Sequence, residues 1–198
     1  MGSRFRVLHE RGMALQDDVL DAIVAAIESG VDWASSFFRT EETLSFIASD
    51  NQDWLGHAPD QKAINLPLPW LNWVASVART PDALASFCLT VRVDDFRMEV
   101  SFQEYLKAAG IEEMIHHLQD VGHPLVQATL PRVAGSGRSF HLAMALSAHE
   151  VEARRLTDEI LVARKQCPLW SDYDSYLLRV YRDRYGLSGE RLAQLPEN

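Results

Sequence analysis

The sequence predicts a single α+β domain over residues 1–198, with a helical N-terminal portion and a mostly antiparallel sheet of about four strands with helices on one face. Three observations support this fold class. Apolar residues recur at helical spacing near the N-terminus. Residues 87–102 alternate apolar and polar side chains on either side of a short turn, which is typical of a half-buried hairpin. The chain has 198 residues, 47% of them hydrophobic, which is enough for a core without disulfide support.

The N-terminal portion is predicted to contain three helices. The clearest runs from Ala14 to Glu28 and ends at Ser29-Gly30, because glycine readily adopts the left-handed conformation of a helix C-cap. Asp32 is expected to cap a second, short helix. Thr40 is expected to cap a third, with Leu44 facing inward.

Residues 50–69 are polar and rich in Gly and Pro, so we predict a long connection there. This segment is the predicted sub-boundary between the N-terminal helices and the mixed core. Pro69 or Trp70 is expected to start the next helix. Thr80 and Pro81 predict another, with Thr as the cap and Pro at the first helical position.

The mixed core is predicted to follow the order ββαββα. Its elements are a hairpin at 87–102, a helix at 103–120, a hairpin at 125–146 and a helix at 148–165. Residues 139–146 fit either a strand or a helix; Ser147 with Glu150 three residues later resembles a capping box and favours a strand before it. A last helix is predicted at 171–185. This element order resembles that of small secretion chaperones, which are acidic and dimeric, so a homodimer is one expected assembly.

Composition disfavours several classes of function. The net charge is −9, and residues 1–60 contain eleven Asp or Glu against four Arg, which disfavours binding to nucleic acid or to an anionic membrane. The longest apolar run is too short to span a bilayer. Cys88 and Cys167 are the only cysteines, so a reducing, cytoplasmic location is predicted. Cys88 lies in a predicted strand, where a buried, inert thiol is expected.

No motif identifies a reaction, so the sequence predicts no catalytic, cofactor-binding or metal-binding residue. We expect a protein that acts by protein–protein binding, as an inhibitor, an immunity-type protein, a chaperone or an adaptor. Its partner is expected to present a basic surface. The candidate partner-binding residues are acidic, aromatic or basic: Asp17, Asp18, Asp21, Glu41, Glu42, Trp54, Tyr181 and Arg182.

Two alternatives remain open at this stage. A metal-dependent enzyme could use histidines close in the fold, drawn from His116, His117, His123, His141 and His149. Glu112 with His116, and Glu113 with His117, have the i,i+4 spacing of paired ligands, but we interpret them in the first place as Glu–His pairs on an exposed helix face. The second alternative is binding of single-stranded nucleic acid through the aromatic and basic residues of the last helix.

Overall fold

The computed structural model describes residues 5–7, 16–50, 55–93, 96–126 and 147–185, and for 5–7, 93 and 180–185 it describes the backbone alone. The described strands are β1 (Phe5–Val7), β2 (Ser45–Ser49), β3 (Gly56–Ala58), β4 (Ala63–Pro67), β5 (Cys88–Val93) and β6 (Phe96–Ser101). The described helices are α1 (Asp17–Phe38), α2 (Leu68–Val77), α3 (Pro81–Ser86), α4 (Phe102–Asp120), α5 (Ala148–Ala163) and α6 (Ser171–Tyr185). The predicted α+β class and the helical N-terminal portion are confirmed.

Backbone contacts divide the chain into two compact units, Met1–His117 and Leu118–Asn198. The division falls inside α4, and the predicted connection at 50–69 lies wholly within the first unit. In the first unit, β1, β2 and β4 pair in parallel, and β3 joins the edge of β4 in the antiparallel direction. Strands β5 and β6 form a separate antiparallel hairpin, as predicted.

The predicted N-terminal helices need correction. A single helix, α1, replaces the first two, because it continues through Gly30 and Asp32 to Phe38. The chain turns only at Arg39, which adopts a left-handed conformation with a φ of 55°. The third predicted helix is in fact β2, and Leu44 is buried just before this strand. Thr40 instead accepts a hydrogen bond from the backbone N–H of Glu42.

Gly30 lies in the middle of α1, at the point where the backbones of α1 and α4 are in direct contact and leave no space for a side chain. A Cβ added at Gly30 would lie 2.0 Å from the carbonyl oxygen of Lys107, and one added at Gly110 would lie 2.1 Å from that of Ile27. These separations are far below contact distance, so each helix places a carbonyl where the other lacks a side chain. Ala26 and Ala34, one turn to either side of Gly30, are buried as well, so small residues line this face of α1.

The predicted connection at 50–69 contains two strands. Every residue of β4 is buried, and β2 is buried from Phe46 to Ser49. Parallel strands that are covered on both faces lack the alternation by which a half-buried strand is recognised. A left-handed turn at Lys62, with a φ of 45°, leads into β4.

Several local signals are confirmed by the contacts they predict. The Thr80 side chain accepts a hydrogen bond from the Ala83 N–H at the start of α3. The Ser147 side chain accepts one from Glu150 at the start of α5. Helix α6 has the predicted bounds. The second predicted hairpin falls largely on 127–146, outside the described residues, and Cys88 is exposed rather than buried.

An aromatic cluster around Phe102, which is fully buried, joins α2, α4 and Phe87, the residue between α3 and β5. The ring centroid of Phe102 lies 6.0 Å from that of Trp70, 6.2 Å from that of Trp73 and 5.6 Å from that of Phe87. Tyr105 stacks on Phe102 at 6.2 Å. Burial, together with the nearby carboxylates of α4, raises the pKa of Tyr105 to about 12, so this phenol stays protonated inside the unit.

Substitution of Gly30 by alanine tests the backbone contact between α1 and α4. Alanine is the better helix former by about 1 kcal/mol, so local propensity alone predicts stabilisation. We expect instead a loss of about 3 kcal/mol, because the added methyl group meets the Lys107 carbonyl and overpacks the crossing. Denaturant unfolding measures the change. Ser36→Ala, at an exposed position of the same helix, should change the unfolding free energy by less than about 0.5 kcal/mol; an equally stable Gly30→Ala variant would contradict the contact.

Candidate partner-binding surface

The outer side of α1 carries charge of one sign. Its five charged residues are all acidic, and the helix contains no Lys, Arg or His. At 100° per residue they fall within an arc of about 100°, opposite the buried apolar residues. The arc extends for about 20 Å along the axis. We call it the acidic face of α1; it consists of Asp17, Asp18, Asp21, Glu28 and Asp32.

Among the described residues, no cation pairs with most of this face. Asp17, Asp18, Asp21 and Asp32 are exposed, and none of the four forms an ion pair in the described part of the chain. Asp18 accepts a hydrogen bond from the adjacent Val19 N–H. Negative charge near a helix N-terminus is favourable, but Asp32 lies too far along α1 to benefit.

The structure does not bring the two predicted acidic groups together. Glu41 and Glu42 follow the C-terminus of α1, whereas Asp17, Asp18 and Asp21 lie in its first turns, and a 22-residue helix is about 33 Å long. Glu41 is exposed, and Glu42 is engaged internally, as described next. Of the remaining predicted residues, Trp54 and the side chains of Tyr181 and Arg182 lie outside what the structure describes.

Glu42 belongs to a polar cluster in the first unit. Its carboxylate is 3.1 Å from Nε2 of His117 and 3.8 Å from Nζ of Lys62. The His57 ring, on β3, meets the His117 ring edge to face at a centroid distance of 5.2 Å. The cluster thus connects the segment before β2, the hairpin of β3 and β4, and the end of α4.

The geometry of this cluster fits a structural contact better than a catalytic one. His117 is only 2% exposed, and both ring nitrogens of His57 are shielded from solvent, so a substrate has no direct access to either imidazole. The hydrogen bond from His117, and secondarily the charge of Lys62, lower the pKa of Glu42 below its usual value. A carboxylate that stays ionised is suited to hold a buried imidazole in place.

The other predicted histidines are distributed between the two units. His116 and His117 are both buried on α4. The expectation that these two histidines lie on an exposed helix face is therefore wrong. His123 and His149 belong to the second unit, and His141 lies outside the described residues. The enzyme alternative therefore stays a prediction.

In the second unit, Asp158 connects α5 to α6. Its carboxylate accepts hydrogen bonds of 2.7 to 3.1 Å from three consecutive backbone N–H groups. These donors are Leu169, Trp170 and Ser171, at the start of α6. A carboxylate at a helix N-terminus satisfies backbone donors that would otherwise lack partners and also complements the helix dipole.

A groove of about 410 Å³ lies beside this junction, between walls that include Val162 and Pro168. Its carboxylates are engaged within the fold. Asp174 accepts a 2.7 Å hydrogen bond from the buried Arg154 guanidinium, and Glu159 pairs with Arg155. Burial raises the pKa of Asp174, an effect that Arg154 opposes. We interpret the groove as part of the helix junction.

The tyrosines of α6 that the structure describes are packed. Tyr176 is buried and lies under the Arg179 guanidinium at 5.8 Å. Tyr173 lies 5.9 Å from Trp170 and 5.7 Å from the Arg154 guanidinium. Rings held in this way do not form an open stacking platform, which favours packing over nucleic-acid binding for these residues.

Comparison of the chain with protein-family models, with curated proteins and with solved structures found no match. In the described part of the chain, no helix is both long enough and apolar enough to cross a membrane.

Replacement of Glu42 by Gln tests the cluster around His117. We expect a loss of about 1 to 2 kcal/mol at pH 7, because the buried imidazole loses a charged hydrogen-bond partner. The pKa of Glu42 is lowered in the folded state from 4.5, so its contribution is present above that pH and disappears as the pH falls through the folded value. The difference between wild type and Glu42→Gln, measured by urea unfolding, should therefore shrink below pH 4.5.

The matched control for this prediction is Glu41→Gln, which makes the same change at the adjacent exposed position. It should leave stability within about 0.5 kcal/mol of wild type. Equal effects of the two variants would contradict a specific contact between Glu42 and His117.

Asp158→Asn tests the junction between α5 and α6. Asparagine retains one acceptor oxygen but directs an NH₂ group at backbone donors, so we expect a loss of about 2 kcal/mol. Amide hydrogen exchange should show faster exchange at Leu169, Trp170 and Ser171. Asp172→Asn, in the exposed first turn of α6, is the control; similar exchange in both variants would show that Asp158 is not the cap.

Proposed function

We propose that the protein acts by binding another protein with a basic surface, and that the acidic face of α1 is the main contact. The observation that carries this proposal is the one-signed charge of that face, whose exposed aspartates pair with no cation among the residues that the structure describes. Such charges steer a basic partner toward the surface and select its orientation. Nucleic acid is disfavoured by the same charges.

An aromatic residue beside the acidic face supports the proposal. Trp33 is half-buried on α1, about 60° around the helix axis from Asp18, and the Lys107 ammonium lies 5.5 Å from its ring centroid. Aromatic residues next to a charged rim are common in protein–protein interfaces. Inhibitors, immunity-type proteins, chaperones and adaptors all act through such surfaces.

We further propose a cytoplasmic location. Cys88 and Cys167 are both exposed and free. Exposed thiols persist in a reducing compartment, whereas in an oxidising one they tend to pair or to oxidise. The proposed partner would therefore be an intracellular protein.

Neutralisation of the face tests the proposed function. The variant Asp18→Asn, Asp21→Asn, Asp32→Asn removes three charges without changing side-chain size. Its control, Asp60→Asn, Asp82→Asn, Asp172→Asn, removes three exposed charges elsewhere. The expected partners are proteins that the wild type and the control recover from a cell extract and that the α1 variant does not. Measured by calorimetry, the identified partner should bind the α1 variant about tenfold more weakly than the wild type.

Salt provides a second readout of the same interaction. Affinity of wild type for the identified partner should fall between about 0.01 M and about 0.15 M ionic strength, and the α1 variant should be less sensitive. A partner that binds the wild type and the α1 variant with equal affinity would contradict the proposal. A homodimer that forms at the same protein concentration in the wild type and the α1 variant, and that excludes any other partner, would contradict it as well.

A further inference from the structure

The outer edge of β6 carries none of the devices that usually protect the edge of a sheet. Natural edge strands are shielded by proline, lysine, a bulge or an inward-facing charge. Strand β6 contains neither proline nor lysine, and its pairing with β5 runs through six consecutive pairs without a bulge. Among the strands that the structure describes, β5 is the sole neighbour of β6. A hairpin of two strands is marginally stable by itself, so a third strand at this edge would stabilise it.

The ladder shows which residues of β6 face that edge. The Phe102 N–H donates a 2.9 Å hydrogen bond to the Phe87 carbonyl, which continues the β5–β6 register by one pair. In an antiparallel ladder, hydrogen-bonded and non-hydrogen-bonded pairs alternate. The even-numbered residues of β6 therefore bond to β5, and the odd-numbered residues direct their N–H and C=O groups to the outer edge. These outward residues are Arg97, Glu99 and Ser101.

The side chains of Arg97 and Glu99 are exposed and opposite in charge. They are 62% and 59% exposed and form an ion pair with each other. Met98, between them, lies on the other, apolar face of the hairpin and is half-buried, as Phe96 is. From Phe96 to Val100 the strand is apolar, basic, apolar, acidic and apolar in turn. This order is complementary to itself when one copy is reversed.

Two copies of β6 placed antiparallel about a two-fold axis at Met98 satisfy these charges. Arg97 of each copy then lies opposite Glu99 of the other, in the hydrogen-bonded pairs that the outward backbone groups require. Met98 lies opposite its own copy, and Phe96 lies opposite Val100. An axis at Arg97 or at Glu99 would instead place like charges opposite each other, which is destabilising. The charges therefore select one register for self-pairing.

We propose that the protein forms a homodimer by antiparallel pairing of β6 with β6 of a second copy. The product is a four-stranded antiparallel sheet in the order β5–β6–β6–β5, with the two-fold, self-complementary type of interface that is most common among homo-oligomers. Strand addition obtains its affinity from main-chain hydrogen bonds and its specificity from side chains. Here the two Arg–Glu pairs favour a second copy over an arbitrary strand. The contact uses no residue of the acidic face of α1, so it neither requires nor precludes the proposed function.

Charge reversal tests the dimer on the full chain by sedimentation equilibrium. Interfaces of this small size are weak, so we expect the wild type to dimerise with a dissociation constant on the order of 10 μM. Arg97→Glu and Glu99→Arg each place like charges opposite each other in both pairs, and each should weaken self-association by about tenfold or more. An equimolar mixture of the two variants should recover the wild-type affinity, because every opposed pair in the mixed dimer again joins opposite charges. Both variants lack the ion pair within the strand, so this recovery cannot come from the fold of either chain.

Arg79→Glu, an equal charge reversal at an exposed position outside β6, is the control and should change the dissociation constant by less than about threefold. A cysteine at the axis provides a second test if either charge variant does not fold. Met98→Cys, combined with Cys88→Ser and Cys167→Ser, should form a disulfide-linked dimer on oxidation, because opposite residues of a non-hydrogen-bonded pair lie within disulfide distance. Thr90→Cys in the same background, on the strand away from the axis, should not.

A wild-type chain that stays monomeric up to about 0.5 mM would overturn the proposal and leave this edge to a strand of another protein. Equal self-association of the wild type and both charge variants would overturn it too. So would a mixture of the two variants that associates no better than either variant alone.

Discussion

The crossing of α1 and α4 at Gly30 and Gly110 fixes much of the first unit. Each glycine lies against a backbone carbonyl of the other helix, so the separation of the helices is set by main-chain atoms rather than by flexible side chains. The crossing also fixes the rotation of α1 about its own axis. Because Gly30 must face α4, the charged arc on the opposite side of α1 must face away from it, and the orientation of the acidic face follows from one packing contact.

The burial of α4 explains why its polar residues form internal contacts. The helix is buried along most of its length, including Glu113, His116 and His117. A buried polar group without a partner is costly, so these side chains need partners within the protein. For His117 that partner is Glu42, which the chain brings to the start of β2 just after α1 ends. Glu113 and His117, which have the spacing of paired metal ligands in the sequence, are thus part of the packing of α4.

The sequence predicted those parts of the fold that depend on neighbouring residues. Thr80 and Ser147 cap their helices through contacts three residues away, and the β5–β6 hairpin closes on itself. Gly30 shows the limit: the local rule for glycine predicts a helix end, but the approach of a helix some 80 residues later keeps the position helical. Two other features have no signal in the local sequence. They are the parallel pairing of β2 with β4 and the contact between Glu42 and His117, which are 75 residues apart.

Carboxylates in this chain differ in function according to whether the fold provides them with a partner. Asp158 accepts three backbone N–H groups and Asp174 a buried guanidinium, so their charge is used to hold α5 and α6 together. Asp21 and Asp32 receive no such partner from the described residues, although they lie on a helix that packs against α4 at backbone contact. A charge that contributes little to folding and is still held in a defined orientation is available for recognition. This distinction, rather than the acidic composition itself, singles out α1.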